Sequence, residues 1–303
     1  MRSSAARALV ESIALVIFAA CAVIAIAAVF SITLYMFLKG MPAFFKVGFK
    51  EILFGTVWAP AAQNPSYGIL YIILTSIIGT AMAIIIGVPI GVLTAVFLSE
   101  VAPKRLAAIV RPAVDLLAGI PSVIYGLLGL MILNPAMYRL EKIIFAGSTT
   151  HQFTGGANLI SAVLVLVIMI LPTVINISQS ALAAVPKTLK SASFGLGATH
   201  IQTIFKVQLP AAKSGIITAI VLGTGRAIGE AMAISLVSGS AVNPPLPFNS
   251  VRFLTTAIVA EMGYAADTHR MVLFSIGLVL FVFIMAINII LTKILKGGRS
   301  ERP

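Results

Sequence analysis

The sequence predicts an all-α polytopic membrane protein with six transmembrane helices. Of its 303 residues, 59% are hydrophobic and only 10% are charged, and the mean hydropathy is +1.08. Apolar runs of about 18 or more residues indicate helices that cross a bilayer, because that length spans the hydrocarbon core. We place six such runs in one membrane domain over residues 1–303, at residues 13–38, 67–98, 113–133, 158–178, 216–239 and 271–292.

The distribution of basic residues indicates how these helices are oriented. Most of the 21 lysines and arginines lie before the first run, in the second and fourth loops, and after the last run. Since cytoplasmic loops carry an excess of Lys and Arg, we expect both termini in the cytoplasm and a multi-pass protein of the cell (inner) membrane. The net charge of +12 therefore indicates how the chain is oriented in the membrane. We expect membrane lipid as a partner of the chain, and no nucleic acid.

Two charged residues, Arg226 and Glu230, interrupt the fifth apolar run. A charge at bilayer depth costs at least about 2.5–3.5 kcal/mol on insertion scales, so such residues typically line a solute path or pair with each other. Their four-residue spacing predicts that both side chains lie on one helix face. Gly225 and Gly229 beside them leave the backbone open to a neighbouring helix or a solute. A structural ion pair that only orients packed helices is the alternative.

Proline and glycine interrupt the third run in the segment that contains Gly119, Pro121, Ser122 and Tyr125. Such residues break a helix, and in a membrane the freed backbone groups must be satisfied by protein or lie along a watery cavity. Transporters use interrupted helices at their solute sites, so we interpret these four residues as a candidate gate. A proline kink that serves helix packing explains the same pattern.

The fourth loop, residues 179–213, is cytoplasmic by charge and rich in alanine and glycine. We expect a short helix at residues 191–198 that closes at Gly197, because glycine readily adopts the left-handed conformation of a helix end. A second short helix is expected at residues 199–207, before Leu209 and Pro210. The segment is either a rigid element that docks in a partner or a surface helix held at the lipid headgroups by its lysines.

This loop resembles the cytoplasmic coupling segment of ABC importer permeases, often called the EAA loop. The family pattern is Glu-Ala-Ala, three residues, a glycine, nine residues, and then hydrophobic-x-Leu-Pro. The matching positions are occupied by Ser191, Ala192, Gly197, Leu209 and Pro210. Serines replace the first and third residues of the Glu-Ala-Ala triplet, so the resemblance implies docking to an ATPase by shape rather than through an acid.

Over nearly its whole length the chain resembles the permeases of the phosphate-specific (Pst) ABC importers. Residues 119–126 are similar to their third-span signature, residues 225–233 to their fifth-span signature, and residues 256–263 to their last external loop. The end of the fifth-span signature and a first loop with Trp58 and Pro60 resemble the PstC-type subunit more than its PstA-type partner.

The resemblance implies a six-span permease like those of type I ABC importers, which forms the translocation path for inorganic phosphate. It also implies a heterodimer with a second homologous permease, two cytoplasmic ATPase subunits and an external phosphate-binding protein. The chain contains no G-x-x-x-x-G-K-[ST] loop. Partner subunits are therefore expected to hydrolyse ATP, while this chain is a transport subunit that is not an enzyme and holds no cofactor or metal.

Arg226 suits an anion path because a guanidinium is always charged and offers two parallel donors to an oxyanion. Glu230 could hold Arg226 in place between transport events. It could also accept a hydrogen bond from the proton that phosphate keeps and sulfate lacks. Selectivity that resides entirely in the binding protein is the alternative to this second role.

Other functions fit parts of the same pattern. A permease for another oxyanion (sulfate, molybdate or phosphonate) and the PstA-type partner subunit are the nearest alternatives. An ion-coupled secondary transporter explains the charged fifth run but not the long folded cytoplasmic loop. An intramembrane enzyme needs a group that activates Ser122 or Tyr125, and the three histidines fall in loops.

Overall fold

A computed structural model describes residues 4–297, and the regular secondary structure of this part of the chain is helical apart from two short strands, which confirms the predicted all-α class. The elements in chain order are α1 (Ser4–Lys46), α2 (Phe49–Phe54), β1 (Trp58–Ala59), β2 (Ser66–Tyr67), α3 (Leu70–Val96), α4 (Lys104–Gly119), α5 (Ser122–Leu128), α6 (Asn134–Ile144), α7 (Leu159–Ala183), α8 (Lys187–Gly195), α9 (His200–Thr203), α10 (Leu209–Ala211), α11 (Lys213–Gly229), α12 (Met232–Val237), α13 (Leu254–Glu261) and α14 (Asp267–Gly297). Three π-helical turns continue α3, α5 and α9, at Phe97–Val101, Gly129–Leu133 and Ile204–Gln208. The strands β1 and β2 form an antiparallel hairpin.

Several of these helices have the length and apolar character of membrane spans. Five such segments occur in the described residues, at Val10–Lys46, Leu70–Val101, Ser122–Ile144, Leu159–Ala183 and Asp267–Ile290. A sixth results if His200–Ala211 and Lys213–Gly229, which are bent by 69°, count as one span. The placement of both termini in the cytoplasm partly concerns residues 1–3 and 298–303, which lie outside the described residues. That placement and the single domain over residues 1–303 stay predictions.

The central helix of the bundle is α7, which packs between α3 and α11. Glycines on the flanking helices let the backbones approach closely. A Cβ atom at Gly87 would stand 2.7 Å from Ile170, and one at Gly91 would stand 2.8 Å from Val174. A Cβ atom at Gly223 of α11 would likewise stand 3.0 Å from the Val174 side chain. Small residues at helix contacts are typical of membrane bundles, in which close van der Waals packing holds the helices together.

In contrast, α1 lies outside this core and contacts mainly α14. The two helices meet where the Ser275 hydroxyl donates a hydrogen bond to the Gly40 carbonyl over 2.7 Å. No side chain at residues 10–39 is buried. The apolar surface of α1 therefore faces lipid or another subunit, because exposing so long an apolar helix to water is unfavourable in free energy.

The third apolar run does not form the continuous helix predicted at residues 113–133. Instead, α4 ends at Gly119, the backbone of Ile120 is extended, and α5 starts after Pro121. Proline has no N–H group and disfavours a helical conformation of the residue before it, which explains the break. The segment of membrane-spanning length is Ser122–Ile144, so the predicted bounds are wrong.

The fifth run is also interrupted, whereas the sequence predicts one helix over residues 216–239. Here α11 ends at Gly229, Glu230 has an extended backbone (φ −73°, ψ 125°), and α12 begins at Met232. An apolar run does not distinguish one helix from two half-helices, because both contain the same apolar side chains. The break is instead produced by contacts with distant residues, which are described below.

The predicted cytoplasmic loop, residues 179–213, is folded. It contains the end of α7, then α8, and a turn at Gly197 with a left-handed φ of 82°. The second expected helix is α9 with its π-helical turn and α10. The hydroxyl groups of Ser193 and Thr203 are hydrogen-bonded over 2.9 Å and join the two parts. The first helix covers Lys187–Gly195 rather than residues 191–198.

A buried carboxylate joins the loops that the sequence places outside the membrane. Glu261, at the end of α13, is only 5% exposed. It accepts hydrogen bonds from Trp58 Nε1 (3.1 Å) and His269 Nε2 (2.7 Å). It also forms an ion pair with Arg252. One carboxylate therefore holds the first loop, the last loop and the start of α14 together, since breaking such a buried pair is strongly unfavourable.

Replacing Gly91 by leucine is expected to separate α3 from α7, because a side chain there overlaps Val174. Overpacked cores lose about 1–3 kcal/mol of stability, so the midpoint of thermal unfolding in detergent should fall. Gly147→Leu is the matched control, since a Cβ atom at Gly147 meets nothing within 4 Å. Equal midpoints for the two variants would contradict the close contact between α3 and α7.

Candidate functional site

Arg226 lies in the last turn of α11, where its side chain is half-buried. Its Nη1 atom donates a hydrogen bond to Thr173 Oγ1 of α7 over 3.3 Å. No carboxylate of the described residues forms an ion pair with its guanidinium. Because a hydroxyl is neutral, this contact orients Arg226 and leaves its positive charge and most of its five N–H donors for a ligand.

Glu230 does not pair with Arg226, although the sequence predicts both on one helix face. Glu230 follows the end of α11, and its side chain is therefore directed by an extended backbone. Its Oε1 atom accepts the Ala233 N–H over 2.8 Å, and its carbonyl accepts the Thr255 hydroxyl, also over 2.8 Å. Glu230 is buried and caps the first turn of α12, whose N–H groups have no helical partners. The predicted one-face arrangement is wrong for this reason.

Three glycines of the predicted site, Gly119, Gly225 and Gly229, border open space. All three are exposed, and a Cβ atom at each meets nothing within 4 Å. Packing within this chain therefore does not require glycine there, in contrast to Gly126, where a Cβ atom would stand 2.8 Å from Ala233. Their backbone is accessible to a solute or another subunit.

The two helix breaks lie close together. α5 packs against α12, and residues beside both breaks belong to one buried cluster. The Tyr125 hydroxyl donates a hydrogen bond to the Leu117 carbonyl over 2.6 Å, which satisfies a carbonyl freed at the end of α4. Pro121 is exposed and Ser122 is half-exposed at the start of α5. The structure thus brings the predicted gate residues next to the break in the fifth span.

Sequence reasoning missed two polar residues of α7 beside Arg226. Thr173 accepts its hydrogen bond, and Asn176 lies one turn further along the same helix face. Asn176 Nδ2 donates a hydrogen bond to Asp115 Oδ1 of α4 over 2.8 Å. Both residues are half-exposed in a helix whose residues 162–172 are all apolar. Polar residues at helical spacing in the run 158–178 were the available signal.

The predicted coupling residues surround the turn between α8 and α9. Ser191, Ala192 and Gly197 are exposed, Pro210 is exposed in α10, and Leu209 packs against the cluster formed by the ends of α3 and α7. A set of large apolar side chains is also exposed on this segment: Phe194, Leu196, Ile201 and Phe205. A folded segment with such a surface is suited to docking in an apolar groove.

These residues form a candidate anion site where two spans are interrupted. Arg226 supplies a positive charge, Thr173 orients it, and the open glycines allow a ligand to approach the backbone. In residues 4–297, no three His, Cys, Asp or Glu side chains are grouped so as to hold a metal ion. The arrangement fits reversible binding of an oxyanion.

Glu230→Ala is expected to lower stability by about 0.5–2 kcal/mol, the usual effect of removing a side-chain cap from a helix N-terminus. Glu230→Gln keeps an acceptor oxygen for Ala233 and should unfold at nearly the parental temperature. Thermal unfolding of the purified permease in detergent measures both variants. A large loss in the glutamine variant would show that the charge of Glu230, and not its capping bond, stabilises the break.

The chain is similar to known membrane transport proteins. Residues 87–297 match the family described as binding-protein-dependent transport system inner membrane component. The chain is 40% identical over 278 residues to the probable ABC transporter permease protein YqgH of Bacillus subtilis, which covers 89% of this chain and 87% of that protein. It is 37% identical over 234 residues to the phosphate transport system permease protein PstC of Pasteurella multocida, with 74% and 72% covered. The probable PstC protein of Methanocaldococcus jannaschii is 32% identical over 279 residues, with 88% of both chains covered.

Among solved structures, the inward-facing MetNI methionine ABC transporter contains a chain with a similar fold. The TM-score is 0.53 at 19% sequence identity, and the match covers 76% of this chain and 94% of that chain. At this identity the likeness concerns the fold alone. The multi-pass location in the inner membrane and the transport role predicted from the sequence agree with the matched family. The chain belongs to the binding-protein-dependent transport family and is an inner-membrane permease subunit of an ABC importer.

Proposed function

We propose that this chain and a second homologous permease form the path by which an ATP-driven importer moves inorganic phosphate across the cell membrane. Two cytoplasmic ATPase subunits supply the energy, and an external phosphate-binding protein delivers the anion. Relatives whose names specify phosphate transport support the choice of substrate. The observation that carries the proposal is the half-buried guanidinium of Arg226, which has no ion-pair partner among the described residues.

Phosphate must exchange its hydration shell for protein donors and a compensating charge when it enters such a path. Arg226 provides the charge together with two parallel N–H groups that match two oxyanion oxygens. Thr173 fixes the direction of the guanidinium without neutralising it. Gly225 and Gly229 lie on the exposed side of α11, where phosphate or the second permease can approach the backbone.

In this proposal Glu230 shapes the path rather than neutralising Arg226. Its carboxylate holds the start of α12, and its carbonyl is held by Thr255 of α13. Both contacts maintain the break directly after the helix that carries Arg226. The matching break in the third span is formed by Gly119, Pro121, Ser122 and Tyr125. Small movements of the half-helices at these two breaks open the path alternately to the two sides.

Arg226→Gln is expected to reduce ATP-driven phosphate uptake by the intact complex about tenfold or more, because hydrogen bonds to a charged group contribute about 1.5–3 kcal/mol. Arg226→Lys should keep part of the activity, since it preserves the charge and loses the paired donors. Arg105→Gln removes the same charge from an exposed position of α4, outside the candidate anion site and the proposed docking segment, and is the control. Uptake of radiolabelled phosphate into vesicles measures all three, and parental uptake by Arg226→Gln would refute the role of this residue.

We also propose that residues 179–213 dock to the ATPase subunits. The segment is folded, and it exposes Ser191, Ala192 and Gly197 together with several large apolar side chains. Leu209 and Pro210 connect it to α11, the helix that carries Arg226. A movement of the docked segment therefore reaches the proposed anion site through a short and continuous stretch of chain.

Gly197→Val is expected to uncouple ATP hydrolysis from phosphate uptake. A β-branched residue is strongly disfavoured at φ 82°, so the turn between α8 and α9 must change its geometry. Gly195→Val is the matched control, because Gly195 is helical and a Cβ atom there meets nothing within 4 Å. Phosphate uptake and ATP hydrolysis are measured in the same vesicles. An unchanged ratio in the Gly197 variant would count against the assignment of this segment.

A further inference from the structure

An ion pair joins α8 to the end of the second membrane-spanning segment. Lys190 Nζ contacts Glu100 Oε2, and the Glu100 side chain is 10% exposed whereas that of Lys190 is 34% exposed. Among the described residues, Lys190 is the only side chain that pairs or hydrogen-bonds with this carboxylate. Losing Lys190 therefore leaves a nearly buried charge without a partner, which is much less favourable than losing an exposed pair.

Apart from the chain connection through residues 184–186, this ion pair is the polar link between α8 and the spans. In the part of the chain that the structure describes, no other side-chain hydrogen bond or ion pair connects α8 to a membrane-spanning helix. The bond between Ser193 and Thr203 stays within the cytoplasmic segment. A cavity of about 450 Å³ lies behind α8, lined by Leu182 of α7 and Gln208 of the π-helical turn among others. The packing of α8 against the spans is therefore incomplete on this side.

From Glu100, contacts continue to the proposed anion site. Glu100 lies in the π-helical turn Phe97–Val101, which ends the span begun by α3. Such turns occur frequently at functional sites in helices. The glycine contacts described above pack α3 closely along α7, and α7 carries Thr173, the partner of Arg226. Densely packed helices transmit displacements, because they cannot be compressed.

We propose that Lys190 and Glu100 are positioning residues that convert movement of α8 into movement of the spans around Arg226. The inference rests on the proposed function, in which ATPase subunits act on residues 179–213. An interface without a cavity transmits motion through many apolar contacts, whereas here an ion pair spans the cavity between α8 and the turn that carries Glu100. Loss of the pair leaves ATP hydrolysis in place and lowers the amount of phosphate moved for each ATP hydrolysed.

The test compares four variants of the chain in the complete complex, reconstituted in vesicles with its partner subunits. Glu100→Gln and Lys190→Met each break the pair, and the double variant Glu100→Lys with Lys190→Glu restores it with reversed charges. Lys104→Met is the matched control, because this exposed lysine follows the turn that carries Glu100, lies outside the proposed docking segment and forms no ion pair with the described residues. Radiolabelled phosphate uptake and ATP hydrolysis are measured in the same preparation.

We expect both single variants to lower the ratio of phosphate moved to ATP hydrolysed about fivefold or more, the lower limit of typical coupling between sites. The reversed pair should recover most of the parental ratio, and Lys104→Met should keep it. Parental ratios in both single variants, or a reversed pair no better than they are, would overturn the inference while the proposed function stands. Absence of ATP-driven phosphate uptake in the parent complex would contradict the proposed function and this inference with it.

Discussion

Hydrogen bonds to the backbone at two helix breaks are the constraint on which the rest of the site depends. In a bilayer an unpaired N–H or C=O group is several kcal/mol less stable than a paired one, so a span can be interrupted only where protein groups replace the helical partners. Tyr125 binds the freed carbonyl of Leu117, and the Glu230 carboxylate binds the N–H of Ala233. Thr255 binds the Glu230 carbonyl. These bonds make the interruptions part of a stable fold.

The second requirement is a positive charge that is oriented but not neutralised. Pairing Arg226 with Glu230 would stabilise both residues and reduce the attraction for an anion. The structure avoids this by giving Glu230 a capping role and giving Arg226 a neutral partner, Thr173. The charge is retained in a half-buried position, where electrostatic interactions are stronger than in water. Exposed glycines beside it leave space for the ligand.

Carboxylates also connect this region to both ends of the molecule. Glu261 joins three segments of the external loops, and its helix α13 holds the Glu230 carbonyl through Thr255. Glu100, in the π-helical turn after α3, forms an ion pair with Lys190 of α8, which belongs to the proposed docking segment. Close contacts at glycines pack α3 and α11 against α7 in the region between these points. Under the proposed function, these contacts connect the candidate site to both membrane surfaces.

The sequence by itself determined the all-α class, the presence of several membrane-spanning helices and the left-handed turn at Gly197, because hydropathy and glycine geometry are properties of short stretches of chain. The choice of Arg226 as a site residue also came from the sequence and stays a prediction. Only the tertiary structure decided where the third and fifth spans break and what Glu230 does. Glu230 is hydrogen-bonded to Thr255, which lies 25 positions further along the chain. Arg226 is hydrogen-bonded to Thr173, which lies 53 positions before it. Spacing along one helix cannot reveal such contacts, because they form only after separate helices pack together.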